Sequence, residues 1–245
     1  MVFFNLLHFY NAIIGELKNY MTIEYGKSFL KWRESSSKPW AAFTTHEFVV
    51  GLGNGMLAED AFLRYLRQDY IFLLHFARAW ALAVVKSDNL TEMRMSANLV
   101  DALLNDEMNL HVKICQEKGI TREQLENTTE LPQNMAYTRY VLEAGFSGDF
   151  LDLMAALAPC VMGYGEIGAR LKVERTSERY IDWINTYSSQ DYQNLCIDLG
   201  KVIDSAMIRR LGRNFDECER WDKLVTHFQQ ATTLESSFWE MGLKG

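Results

Sequence analysis

The stretch at 215–241, FDECERWDKLVTHFQQATTLESSFWEM, decides the class of fold. Steps of three and four through it pick out Trp221, Val225, Phe228, Thr232, Glu235 and Trp239, one continuous helical face. The same period recurs up the chain and predicts further helices over about 5–33, 58–87, 91–118, 132–145, 149–174, 178–187 and 191–212. Strand alternation is absent from these stretches. Only three prolines occur (Pro39, Pro132, Pro159), and there is no internal repeat or low-complexity tract. With 245 residues, 48% hydrophobic and 13% aromatic, the chain can bury a full core as one domain. The expectation is an all-α, single-domain helical bundle.

Shorter signals fill the gaps between helices. Thr44-Thr45-His46-Glu47 has capping-box spacing, so a short helix is expected to start there, with Thr44 as cap and Glu47 reaching back. Ser35-Ser36-Ser37-Lys38-Pro39 reads as a loop. Gly51-Leu52-Gly53-Asn54-Gly55 resembles a phosphate loop only superficially: it follows no strand and lacks the Lys-Ser/Thr ending. It reads as a turn joining two helices. Gly145, Gly148 and Gly212 sit where helices should end.

Composition narrows the function classes. A net charge of −7 argues against a nucleic-acid surface, which needs a basic patch. Cys115, Cys160, Cys196 and Cys218 are widely spaced with no CxxC pair, which favours reduced thiols in a cytoplasmic compartment. Residues 1–20 lack the basic start and small-residue cleavage site of a signal peptide. No run approaches the ~20 apolar residues that cross a bilayer, so no membrane partner is expected. Residues 1–27 read as an N-terminal extension or extra helix before a domain over 28–245, with Met21 a second candidate initiator.

Three core-facing stripes carry a misfit. Glu235 interrupts the stripe already given, and Asp69 interrupts Phe62, Tyr65, Phe72 and Phe76. Cys160 interrupts Leu153, Leu157, Tyr164 and Leu171, directly after Pro159, which removes a helical hydrogen bond. A buried carboxylate must have partners, because an unpaired buried charge is prohibitively unfavourable. Taken alone, each acid is equally well explained as an ordinary salt-bridged residue, with Arg64 or Arg67 as partner. A lone buried cysteine is usually a small hydrophobe, and plain core packing accounts for Tyr137, Tyr187 and Phe238. The three misfits together suggest a small buried pocket. Glu107 and His111 stand four apart on one helix, but a di-iron site needs a second carboxylate–histidine set, and His8, His46, His75 and His227 are isolated. No metal and no cofactor are expected.

The motifs then resemble one family. His46-Glu47-Phe48-Val49, Gly51 to Gly55, Gln68-Asp69-Tyr70, His75-Phe76-Ala77, Glu107-Met108-x-Leu110-His111 and Ala136-Tyr137 follow the order of the TenA (thiaminase II) family. Ala155-Ala156-Leu157-Ala158-Pro159-Cys160 with Tyr164, Glu166 and Gly168 is the strongest block. Tyr180-x-x-Trp183-Ile184-x-x-Tyr187 and Glu235-x-x-Phe238-Trp239-x-Met241 complete a likeness over about residues 28–242. The resemblance implies a haem-oxygenase-like helical bundle, a homotetramer, and hydrolysis at the exocyclic CH2 of a 4-amino-2-methylpyrimidine or of thiamine. It implies Cys160 as nucleophile, Glu235 as the acid/base group holding the pyrimidine, and Asp69 as the orienting aspartate. Tyr137, Tyr164, Tyr187 and Phe238 match residues around the ring. Phe72 departs from the family's frequent tyrosine, and His46-Glu47 from its commoner His-Pro. An oxygenase or redox enzyme on the same fold, and a non-catalytic regulatory protein, are the alternative classes.

Overall fold

Residues 24–244 are described in the structure, a computed structural model, and no strand occurs among them. The helices are α1 (Lys27–Ser35), α2 (Ser37–Thr44), α3 (Glu47–Asn54), α4 (Glu59–Lys86), α5 (Leu90–Ala102), α6 (Met108–Glu117) and α7 (Arg122–Glu126). They continue with α8 (Pro132–Ser147), α9 (Phe150–Glu174), α10 (Ile181–Ser188), α11 (Gln190–Leu211) and α12 (Arg220–Lys244). A π-helical turn, Leu103–Glu107, joins α5 to α6, and a short 3-10 turn, Phe215–Glu217, precedes α12. The expected helix over 5–33 lies mostly outside the described residues.

Helix α9 is the axis of the molecule, with α12, α10, α8 and α11 packed around it. From Phe150 to Gly165 every residue but Cys160 is buried. By length and composition α9 alone, among the described residues, could cross a membrane, which corrects the expectation that no run comes close; 89% of its most apolar window is buried inside protein. Its first turn is fixed by a capping box in which Asp149 accepts from the Leu151 and Asp152 amides while Asp152 accepts from the Asp149 amide. Asp152 also binds Arg220 (2.6 Å) and Lys223 (3.2 Å) at the start of α12. Burial pushes the Asp152 carboxyl up, but the bonds from His227, the Asp149 amide and Lys223 and the Arg220 charge outweigh it and hold it low. That cluster clamps α12 to α9, setting the register in which Glu235 meets Cys160.

Several local expectations are corrected. In place of a Ser35–Pro39 loop, Ser35 ends α1, Ser36 alone forms the turn and Ser37 starts α2, with Pro39 in its first turn, where the missing N–H costs nothing. Thr44 does not cap: its hydroxyl donates to the Trp40 carbonyl at 2.9 Å, and His46 Nδ1 caps α3 by accepting from the Phe48 amide. Gly51 and Gly53 lie within α3, not in a loop, because α3 packs close enough that a Cβ on Gly53 would come within 2.8 Å of Leu171. Only Gly55, with φ 75°, ends the helix in the left-handed conformation. Helix α8 runs past Gly145 to Ser147 because Gly145 is a contact point against Leu82 and Leu153. The final helix starts at Arg220 rather than 215 and continues to Lys244.

Candidate active site

A cavity of about 490 Å³ opens between α4, the α5–α6 segment, α9 and α10–α11. Helix α4 contributes Asp69, Phe72 and Phe76, and α9 contributes Cys160 and Tyr164. Tyr187 closes α10 against the same space. The aromatic wall is continuous: Phe72 stacks on Phe76 with centroids 5.0 Å apart, and Tyr164 meets Tyr187 edge-on at 5.0 Å. Gly168 permits this, because a Cβ there would stand 2.6 Å from the Tyr187 backbone.

Glu235, Tyr137 and Phe238 are not on the cavity surface. They form the layer behind it, each at most 1% exposed. The Tyr137 hydroxyl donates to Glu235 Oε1 at 2.7 Å, and the same carboxyl lies close to the Cys160 thiol. Phe238 packs edge-on against Phe72 at 5.4 Å. Burial pushes the Glu235 carboxyl up to about 8, against the lowering effect of Tyr137 and Cys160 beside it. Burial likewise raises the Cys160 thiol, and the nearby carboxylates of Glu235, Glu107 and Asp69 raise it further. At neutral pH the pair is a thiol beside a carboxylic acid.

The partner of Asp69 is neither Arg64 nor Arg67. Arg64 reaches instead to the carbonyls of Gly242 (2.7 Å) and Leu243 (3.3 Å), closing the end of α12. His111 Nε2 binds Asp69 Oδ2 at 2.8 Å, and His111 Nδ1 lies 2.8 Å from the Glu107 carbonyl oxygen. A carbonyl only accepts, so Nδ1 carries a proton, and pairing with the Asp69 carboxylate places a second on Nε2. Burial pulls the imidazole down, but Asp69 and Glu107 more than compensate and raise it to about 8. The Tyr65 hydroxyl, 3.4 Å from Asp69 Oδ2, completes the set.

Glu107 is the cavity residue that the periodicity did not single out. Its Oε1 accepts from the Tyr187 hydroxyl at 2.7 Å. The π-turn aims it there, since one extra residue per turn rotates everything after Ala102 relative to a regular helix. The i,i+4 spacing of Glu107 and His111 was the signal available, but it does not describe a ligand pair. Both ring nitrogens of His111 are engaged by protein oxygens, whereas the Glu107 carboxyl points elsewhere.

Comparison with known proteins gives the family and the fold. The family model described as the TENA/THI-4/PQQC family matches residues 34–245. A curated relative from Halalkalibacterium halodurans, named aminopyrimidine aminohydrolase, is 35% identical over 211 residues, 85% of this chain and 92% of its own. A solved structure described as a TenA family transcription regulator, from Silicibacter sp. TM1040, is 54% identical with a TM-score of 0.89, covering 90% of this chain and 98% of its own. A domain of unknown function with a heme oxygenase-like fold, from Shewanella denitrificans, shares only 14% identity but has a TM-score of 0.67 over 88% of this chain and 92% of its own, so it speaks for the fold alone. The helical architecture is therefore the haem-oxygenase-like one, and the chain belongs to the TENA/THI-4/PQQC family.

Proposed function

We propose that this protein hydrolyses the exocyclic CH2–N bond of 4-amino-2-methylpyrimidines, either 4-amino-5-aminomethyl-2-methylpyrimidine or thiamine, in thiamine salvage. The product is hydroxymethylpyrimidine. The observation that carries this reading is the Cys160 thiol on the wall of an aromatic cavity, with the buried Glu235 carboxyl close beside it. The aminopyrimidine aminohydrolase name of a relative with 35% identity supports it.

A flat, electron-poor heterocycle fits between Phe72, Tyr164 and Tyr187. Asp69, held by His111 through Oδ2, keeps Oδ1 available to accept from the exocyclic amine. The buried thiol is not ionised at rest, so its proton must leave as the carbon–sulfur bond forms. Glu235, protonated at rest, hands its own proton to a ring nitrogen as it takes the thiol's, so the ring edge must reach past the cavity wall to the layer in which Glu235 lies. The ring then gains sulfur on carbon and hydrogen on nitrogen, and the pocket acquires no net charge. Loss of aromaticity lets the CH2 substituent depart with the C–N electron pair, as an amine or a thiazole. Water adds to the exocyclic methylene and its spare proton leaves to solvent; as the ring expels the sulfur it returns the nitrogen proton to Glu235, which gives the thiolate back its own. Tyr137 keeps the carboxyl oriented throughout.

The reaction needs no cofactor, and four cysteines without a disulfide suit a cytoplasmic setting. We assign a homotetramer on the family resemblance. A regulatory role through DNA is disfavoured by the net charge of −7. Purified protein incubated with 4-amino-5-aminomethyl-2-methylpyrimidine should release stoichiometric ammonia and hydroxymethylpyrimidine. Absence of both from folded protein removes the hydrolase reading.

A further inference from the structure

The Glu107 carboxyl lines the cavity but belongs neither to the Cys160–Glu235 pair nor to the Asp69–His111 pair. Its Oε1 is occupied by Tyr187, while Oε2 has no protein donor among the described residues. Among the described residues no lysine, arginine or histidine lines the cavity, and Asp106 and Asp191 stand exposed on its wall. The charges elsewhere are matched: Asp69 has the doubly donating His111 behind it, and Cys160 and Glu235 are both uncharged at neutral pH. A cavity of this kind lacks a cation, and Glu107 is the acceptor left open for one.

On the aminopyrimidine the cation sits on the CH2 substituent, where a primary ammonium offers three N–H donors. We infer that Glu107 is a further substrate-binding residue, accepting a hydrogen bond from the protonated leaving amine and selecting a primary ammonium substituent over a neutral one. The inference rests on the aminopyrimidine reading of the site. Keeping that nitrogen protonated serves the chemistry directly. When the C–N bond breaks, its electron pair stays on nitrogen and neutral ammonia departs, while the ring system takes up the positive charge. An unprotonated amine would have to leave as the far more basic amide ion.

The test is binding by the Cys160→Ser protein, which holds substrate without turnover, compared with the same protein carrying Glu107→Gln. Glutamine keeps a carbonyl for the Tyr187 hydroxyl and puts an NH2 donor in place of Oε2, removing the charge and the free acceptor together. Calorimetry should show the dissociation constant for 4-amino-5-aminomethyl-2-methylpyrimidine weakened by about 10- to 100-fold, the worth of one charge-assisted hydrogen bond. The constant for the neutral hydroxymethyl compound should stay within about threefold, which also shows that the double variant is folded. Equal weakening for both ligands would mean that Glu107 merely shapes the wall through Tyr187, and no change for either would mean that it does not reach the ligand. Each overturns the inference. If the Cys160→Ser protein binds the hydroxymethyl but not the aminomethyl compound, the inference falls and the aminopyrimidine site stands. Binding of neither removes both.

Discussion

Cys160 and Glu235 lie close together across the contact between α9 and α12, and burial keeps both protonated near neutral pH. A nucleophile in that state depends on its neighbour at the moment of attack. Cys160→Ser should therefore lower ammonia release by at least ~10²-fold while the protein still binds pyrimidine, because a hydroxyl is a much poorer nucleophile than a thiolate. Near-normal turnover would make Cys160 a packing residue. Phe72→Tyr adds a hydroxyl to a wall residue that is 4% exposed, stacked on Phe76 and tilted against Tyr137. It should leave folding intact and change kcat/KM for the aminopyrimidine; identical kinetics would show that the ring edge does not face the ligand. At this scale the sequence was legible wherever a polar side chain broke an apolar stripe, as at Asp69, Cys160 and Glu235. The partners were not legible, because they come from other helices: His111 serves Asp69, and Tyr137 serves Glu235.

Helices α9 and α10 approach each other through Gly168, which is what brings Tyr187 to the cavity and its hydroxyl to Glu107. Gly168→Ala would place a Cβ 2.6 Å from the Tyr187 backbone, so α10 must move away. The expected cost is ~1–3 kcal/mol of stability, typical of overpacking. A matching loss of activity is expected; unchanged melting and unchanged kinetics would show that α10 shifts freely. The α5–α6 segment gives the complementary case. Periodicity read one unbroken helix over 91–118, and a single extra residue in one turn leaves the apolar pattern on both sides nearly intact. Only the backbone shows the π-turn at 103–107, and with it the reason Glu107 faces the cavity.

Across the whole molecule the buried ionisable groups set how stability responds to pH. Glu235 is raised from an ordinary 4.5 to about 8, so between those values the folded protein holds a proton that the unfolded chain has lost. Stability must then fall as pH rises through that window. His111, raised from 6.5 to about 8, contributes stability that is complete below 6.5 and is lost as pH rises through 8. Both slopes have the same sign, so Tm should decline from about pH 4.5 to about pH 8, most steeply above about 6.5 where the two add. Glu235→Gln removes the larger slope: it should raise Tm at pH 8 by a few degrees and yet lower turnover by ~10²–10⁴-fold. A less stable variant with an unchanged pH profile would mean that Glu235 is ionised in the folded protein. For assembly, light scattering at micromolar concentration should give four times the 28.4 kDa chain mass; a monomer mass would overturn the tetramer.

The sequence by itself determined the helical class, the identity of the three misfit side chains and the direction in which each faces. Those properties follow from the 3.6-residue period, which is local. It also carried the family likeness, because motifs keep their order along the chain. Tertiary structure alone decided that Asp69 and Cys160 line the cavity while Glu235 stands one layer behind it. It decided too that Pro39 lies in a helix and that Arg64 closes α12 rather than pairing with an acid. These outcomes depend on contacts between residues far apart in the chain, and helical periodicity fixes which face of a helix is buried but not which other helix buries it.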